Sequence, residues 1–72
     1  MIERNMEPYQ ETMLKELEEL SEKVDKLHEF IGDNENLKDL PTEKLDLLFK
    51  QYYYMSMYQH ILRLRCGIEG IG

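Results

Sequence analysis

Two heptad-like stretches dominate this 72-residue chain, and one difference between them limits what it can become: the first has a single apolar stripe, the second is apolar on nearly every side. In the first, Met13, Leu17, Leu20, Val24, Leu27 and Ile31 recur at spacings of 4, 3, 4, 3 and 4, the pattern of one narrow seam on a helix. In the second, Leu45, Leu48, Tyr52, Met55, Gln59, Leu62 and Cys66 recur at spacings of 3, 4, 3, 4, 3 and 4 and form a facing seam. No strand-type alternation competes with either.

The breaks between the stretches set the expected boundaries. Pro8 suits a first helical turn, so the first helix is expected over residues 7–31, with Gly32 ending it in the left-handed conformation and Asp33-Asn34-Glu35-Asn36 as a polar turn. Glu11/Lys15, Glu19/Lys23 and Glu22/Lys26 are spaced to pair along its wet side. Residues 32–40 read as a loop in which Leu37 and Leu40 cover the open end. Pro41 opens a second helix over residues 41–66, Gly67 terminates it, and Ile68 in the short tail 67–72 folds back in a Schellman-type contact. Two helices of about 25 residues, each about 38 Å long, joined by a short loop, predict an all-α antiparallel hairpin in a single domain.

Such a hairpin covers one stripe of the second helix and leaves the rest. On a wheel of about 100° per residue, Phe49, Tyr53, Met57, Leu64 and His60 lie roughly 120° from the seam. Lys50, Tyr54, Tyr58, Ile61 and Arg65 share a sector of about 80° on the other flank, with Leu47 beside them. An apolar surface of that extent exceeds what soluble monomers usually expose. The second helix is therefore expected to build a helical bundle from copies of the chain, with Phe49, Tyr53, Met57, Ile61 and Leu64 at the oligomer interface.

Charge is divided along the chain. Residues 1–40 hold twelve Asp and Glu against five Lys and Arg, or −7, while residues 41–72 hold three against four, or +1. The acidic first half would repel a phosphate backbone, which argues against DNA or RNA as a partner. It reads as a solvated helix face, or alternatively as a charge mimic of DNA that blocks a basic cleft. The second half offers a different chemistry: Lys50, Tyr54, Tyr58, Arg63 and Arg65 combine aromatic rings with cations, which suits a phosphorylated, base-containing ligand. The same tyrosines also serve interface packing, and Arg63 and Arg65 also favour the dipole at a helix C-terminus.

Other chemistries find little support. His28, His60 and Cys66 have no recognised metal-ligand spacing, and His28-Glu29 lacks the second histidine of a zinc-protease helix. There is no nucleophile beside an evident base and no glycine-rich phosphate loop. The chain reads as a non-enzyme without metal or cofactor. One cysteine cannot form an internal disulfide and fits a reducing compartment as a buried thiol. Met1-Ile2-Glu3-Arg4 is no basic leader and no apolar run reaches the roughly 20 residues of a membrane span, so a cytoplasmic location away from membranes is expected.

The run Leu17-Glu18-Glu19-Leu20-Ser21-Glu22-Lys23-Val24-Asp25-Lys26-Leu27-His28-Glu29-Phe30-Ile31, then Leu40, then Glu43-Lys44-Leu45-Asp46-Leu47-Leu48-Phe49-Lys50-Gln51, then Met55, Tyr58, Leu62 and Arg65, resembles the small phage helical hairpins of the crAss-related type. The similarity covers residues 13–66. More distantly it is similar to the hairpin shared by viral anti-CBASS and anti-Thoeris sponge proteins. That resemblance implies a phage counter-defence homo-oligomer in the host cytoplasm that binds and sequesters a cyclic nucleotide immune signal in pockets between protomers, without turnover. Pro41 stands where the phage hairpins often carry a serine cap, and the arginine- and tyrosine-containing N-terminal segment of the anti-CBASS sponge has no clear counterpart, Tyr9 and Lys15 being unaligned substitutes. No binding residue is carried over from the sponges. Two further readings remain open: a protein-binding inhibitor or adaptor of the anti-CRISPR kind, aimed at a host defence protein, and a structural phage oligomer.

Overall fold

The computed structural model describes residues 6–71. The leader reading at Met1 to Arg4 and the last residue of the tail lie outside the described residues. Three helices follow in order: α1 (Pro8–Gly32), α2 (Asn34–Leu37) and α3 (Thr42–Glu69). No strand occurs among the described residues. The two long helices pack together, and polar contacts fix their sense. Gln10 near the start of α1 reaches Glu69 at the end of α3, Ser21 meets Gln59, and His28 meets Tyr52. Positions rise along one helix as they fall along the other, so the pair is antiparallel, a rod of 54 × 19 × 15 Å.

Both seams lie where their spacing puts them. Met13, Leu20 and Val24 of α1 are buried against Leu62 and Cys66 of α3 and Ile71 beyond it, with Leu17, Tyr52 and Met55 half-buried around them. Leu62 is fully buried. The core is uneven along the rod. It is dense where the start of α1 meets the end of α3, whereas Leu27, Ile31, Leu45 and Leu48 toward the α2 end are only half-buried.

The helix ends differ from expectation in three places, each with a local cause. Gly32 does not turn left-handed but completes α1; the break falls at Asp33, whose extended backbone (φ −101°, ψ 109°) interrupts the helix. The Asp33 carboxylate accepts the Glu35 N–H at 3.0 Å, and the Asn36 side-chain amide donates to the Phe30 carbonyl at 3.1 Å. These bonds satisfy end groups that a helix leaves open, and they fold the expected polar turn into the short helix α2. Leu37 and Leu40 are half-buried here, as a cover for the hairpin end requires.

At the far end α3 runs past Gly67 to Glu69, and Gly70 takes the left-handed conformation (φ 72°). Ile71 N–H donates to the Cys66 carbonyl at 3.0 Å and Gly70 N–H to the Gly67 carbonyl at 3.1 Å, the paired bonds of a Schellman motif. The motif is the expected one, moved three residues on. Ile71 supplies the buried apolar contact (7% exposed), while Ile68 points to solvent at 87%. Gly67 is tolerated within the helix because the packed seam around Leu62 and Cys66 outweighs the roughly 1 kcal/mol of helix propensity it loses.

The three Glu/Lys pairs expected on α1 are not closed. The ion pairs of the described residues are Glu35 with Lys38 and Asp46 with Lys50, each at 2.8 Å and each exposed. Exposed pairs of this kind add little to stability, so the fold does not depend on which of them form.

Candidate functional site

Because α3 is continuous from Thr42 to Glu69, every residue on it has a fixed bearing. With Lys50 as origin, Phe49, Tyr53, Leu64, Met57, Ile61, Tyr54, Leu47, Arg65 and Tyr58 occupy one unbroken arc of about 180° on the side away from α1. The two outer faces read from the sequence thus join into a single surface. All of these side chains are exposed, Leu47 and Tyr54 at 66% each. Between Leu47 and Ile68 the helix carries Lys50, Arg63 and Arg65 and no Asp or Glu, against seven acids and three lysines on α1.

Of the expected ligand-binding residues, Lys50, Tyr54, Tyr58 and Arg65 stand together on this arc. Arg63 does not; its bearing is about 180° from the centre of their sector, at the edge of the seam. Lys50 is held by Asp46, whose carboxylate keeps the ammonium above its ordinary value of 10.5. The Tyr58 hydroxyl donates to the Glu16 carboxylate across the hairpin, which fixes that ring at the border of the two helices. Tyr53 and Tyr54 meet edge to face with ring centroids 5.4 Å apart, an arrangement favoured by the ring quadrupoles. Of the expected interface residues, Phe49, Tyr53, Met57, Ile61 and Leu64 are all exposed on the same arc. Stacking rings beside cations are a chemistry that suits ligands carrying bases and phosphates.

Two features escaped the sequence reading. One is a polar clasp at the end of the rod: Tyr9 Oη donates to Glu69 at 2.7 Å and Gln10 Nε2 donates to the same oxygen at 2.8 Å, while Gln10 Oε1 accepts the Glu7 N–H at 2.9 Å. Hydrogen bonds from Gln10 and then Tyr9 hold the Glu69 carboxyl below its ordinary value of 4.5, with nearby Arg65 assisting. The other is a shallow groove of about 390 Å³ where the seam loosens, lined by Lys23, Lys26, Leu27, Phe30, Gln51 and Met55. Both depend on register between helices, which spacing within one helix does not supply.

Among the described residues no group of three or more His, Cys, Asp or Glu side chains is placed to hold a metal. His28 and His60 belong to different surfaces: the His28 ring lies against Tyr52, its Nδ1 3.1 Å from the hydroxyl, while His60 is exposed on the outer arc. Cys66 is a buried free thiol. No helix among the described residues is long and apolar enough to cross a membrane.

The described residues form an all-helical hairpin with a thin core and a broad aromatic, cationic outer surface. The family model of Sequestin matches residues 7–68, both long helices and the turn between them, and the chain belongs to that family. The family's name speaks of sequestration, that is, of binding a ligand. No curated protein and no solved structure matches the chain.

Proposed function

We propose that this protein is a phage counter-defence sponge that binds and holds a cyclic nucleotide immune signal, without turnover, in pockets between protomers. Membership of the Sequestin family carries the reading. The outer arc of α3 supports it from chemistry: Tyr54 and Tyr58 offer stacking faces, Lys50 and Arg65 neutralise phosphate, and the apolar residues between them favour assembly. Arg63, on the seam edge, has at most a long-range electrostatic part.

The test is native mass spectrometry of the purified protein, alone and with a panel of cyclic di- and trinucleotides and cyclic ADP-ribose isomers. The sponge reading expects an oligomer that takes up one panel member at fixed stoichiometry and returns it unchanged. A monomer, or an oligomer indifferent to the whole panel, overturns it.

A second reading, a protein-binding inhibitor, draws on one observation: α1 exposes an acidic surface that makes no closed ion pair within the helix. It expects capture of a basic host protein with an affinity that falls steeply with salt.

A further inference from the structure

One flank of the hairpin is built on two rows of residues seven apart. On α1 the row is Glu16, Lys23 and Phe30; on α3 it is Gln51, Tyr58 and Arg65. Each step of seven drifts by only about 20° on a helix, and the bond from Tyr58 to Glu16 sets the two rows facing each other across the seam. Because the helices run antiparallel, Lys23 stands opposite Gln51, one step from that bond toward the α2 end. There the groove of about 390 Å³ opens.

The floor of the groove is apolar: Leu27 and Met55 are half-buried, and Phe30 beside them is 41% exposed. Its rim is cationic. α1 carries seven acids and three lysines, yet two of the lysines, Lys23 and Lys26, line the groove and none of the acids does. Glu19 and Glu22, four residues before them, are not paired with them, and among the described residues neither ammonium has an ion-pair partner. Like charges three residues apart on a helix repel, and an anion held between them removes that repulsion. Gln51 donates an amide N–H to the Met55 sulfur at 3.7 Å, a weak acceptor, so the amide can turn to a stronger one.

We infer that this groove binds one base-and-phosphate unit of a nucleotide within a single hairpin, with the base on Leu27, Met55 and Phe30 and the phosphate between Lys23 and Lys26. The proposal rests on the sponge reading for its ligand, and it adds to the outer arc of α3 a contact surface that needs no second copy. The occupant is selected by the chemistry of the lining. Two unpaired ammonium groups on flexible stems converge readily on one anion. An apolar floor with an open aromatic ring favours a flat ring. The volume is that of a small-molecule site. A bare anion would satisfy the lysines and leave the floor wet, and an uncharged ring would do the reverse.

The test follows two groups of the groove by NMR, the Met55 methyl and the Gln51 side-chain amide, with the Met57 methyl as reporter of the outer arc. The wild-type protein is titrated with the same panel of cyclic di- and trinucleotides and cyclic ADP-ribose isomers. Saturable shifts of the Met55 and Gln51 signals with a bound panel member are expected. Affinity for that member should fall about ten- to a hundredfold when Lys23→Gln and Lys26→Gln are combined, and about tenfold in Phe30→Ala. Lys15→Gln, a loss of one positive charge on α1 away from the groove, should bind as the wild type does. All four side chains are exposed, so helix content by circular dichroism should be equal throughout.

Binding of a panel member with the Met55 and Gln51 signals unmoved and the groove variants at wild-type affinity overturns the proposal and leaves the sponge reading standing. Movement of those two signals on dilution of the ligand-free protein would mean that another copy fills the groove, which overturns it as well. If no panel member binds, the sponge reading and this proposal fall together.

Discussion

Gln59 donates a 2.9 Å hydrogen bond from Nε2 to the Ser21 hydroxyl, a polar rung set into the apolar seam of the hairpin. Gln59 is itself buried. A polar residue at a seam position costs stability and gains register, because any slip of one helix along the other leaves its amide unpaired. Gln59→Ala should destabilise the hairpin by about 1–3 kcal/mol in chemical denaturation, whereas Gln59→Leu combined with Ser21→Ala should be neutral or stabilising. Equal losses in the two proteins would show that the bond has no role in register.

Leu62 is the most enclosed side chain of the core. Its truncation to Ala should cost about 2–5 kcal/mol, a large share of the stability of so short a chain, and lower the thermal midpoint followed by circular dichroism at fixed protein concentration. An unchanged midpoint would mean that Leu62 is not part of a packed seam.

The two glycines at the end of α3 should respond in opposite senses to the same substitution. Gly67 lies within the helix with open space where a Cβ would go, so Gly67→Ala should stabilise by about 0.5–1 kcal/mol. Gly70 holds a φ of 72°, so Gly70→Ala should destabilise by about 1–2 kcal/mol. Thermal melts of the two variants decide it; a reversal would place the helix end at Gly67.

This last contrast shows what was legible in the sequence. The seams were readable because burial imposes a period, and Met13, Leu20, Leu62 and Cys66 keep it without exception. The antiparallel hairpin followed from two equal stretches and a short connection. The end of α3 was not readable, since Gly67 and Gly70 are alike as letters and only the buried contact of Ile71 selects between them. Asp33 likewise needed its neighbours, because its carboxylate opens α2 by accepting the Glu35 N–H two residues on, and the side chain that caps α1 comes from Asn36, three residues on. The cation and aromatic surface was legible as a face, but Arg63 was grouped by sequence proximity where bearing separates it. The bond from the Tyr58 hydroxyl to Glu16 of the other helix depends on register between the helices and has no signal within one of them.

The clasp at Glu69 gives the fold a dependence on acid. Its carboxyl is held below the ordinary 4.5, first by Gln10 and then by Tyr9, so the contribution is present above that value and is lost as pH falls through the lowered one. Tyr9 behaves conversely: the hydrogen bond to Glu69 raises its hydroxyl above 10.0, so its contribution is present at neutral pH and lost as pH rises through the raised value. Carboxyl titration by NMR should show Glu69 moving back toward the ordinary range in Gln10→Ala. No movement would remove Gln10 as the cause.

Met57 and Ile61 are exposed in the hairpin, so a charge at either should leave α3 intact and act on assembly alone. Met57→Glu and Ile61→Glu should sediment as single chains, with helix content by circular dichroism equal to that of the parent. An oligomer that survives both changes would exclude this face as its interface.

The rod is a single side chain thick between its two long helices, so only the positions turned inward, roughly two in every seven, answer for the fold. The outer arc of α3 is released from that duty. Apart from Tyr58, which bonds Glu16 of α1, sequence drift there meets little penalty from the hairpin, and selection on what the surface touches can act without first negotiating with stability. If the proposed sponge binds through this arc, a scaffold so economical in its folding requirements can change its ligand by a handful of substitutions on one helix while the other, acidic helix stays as it is.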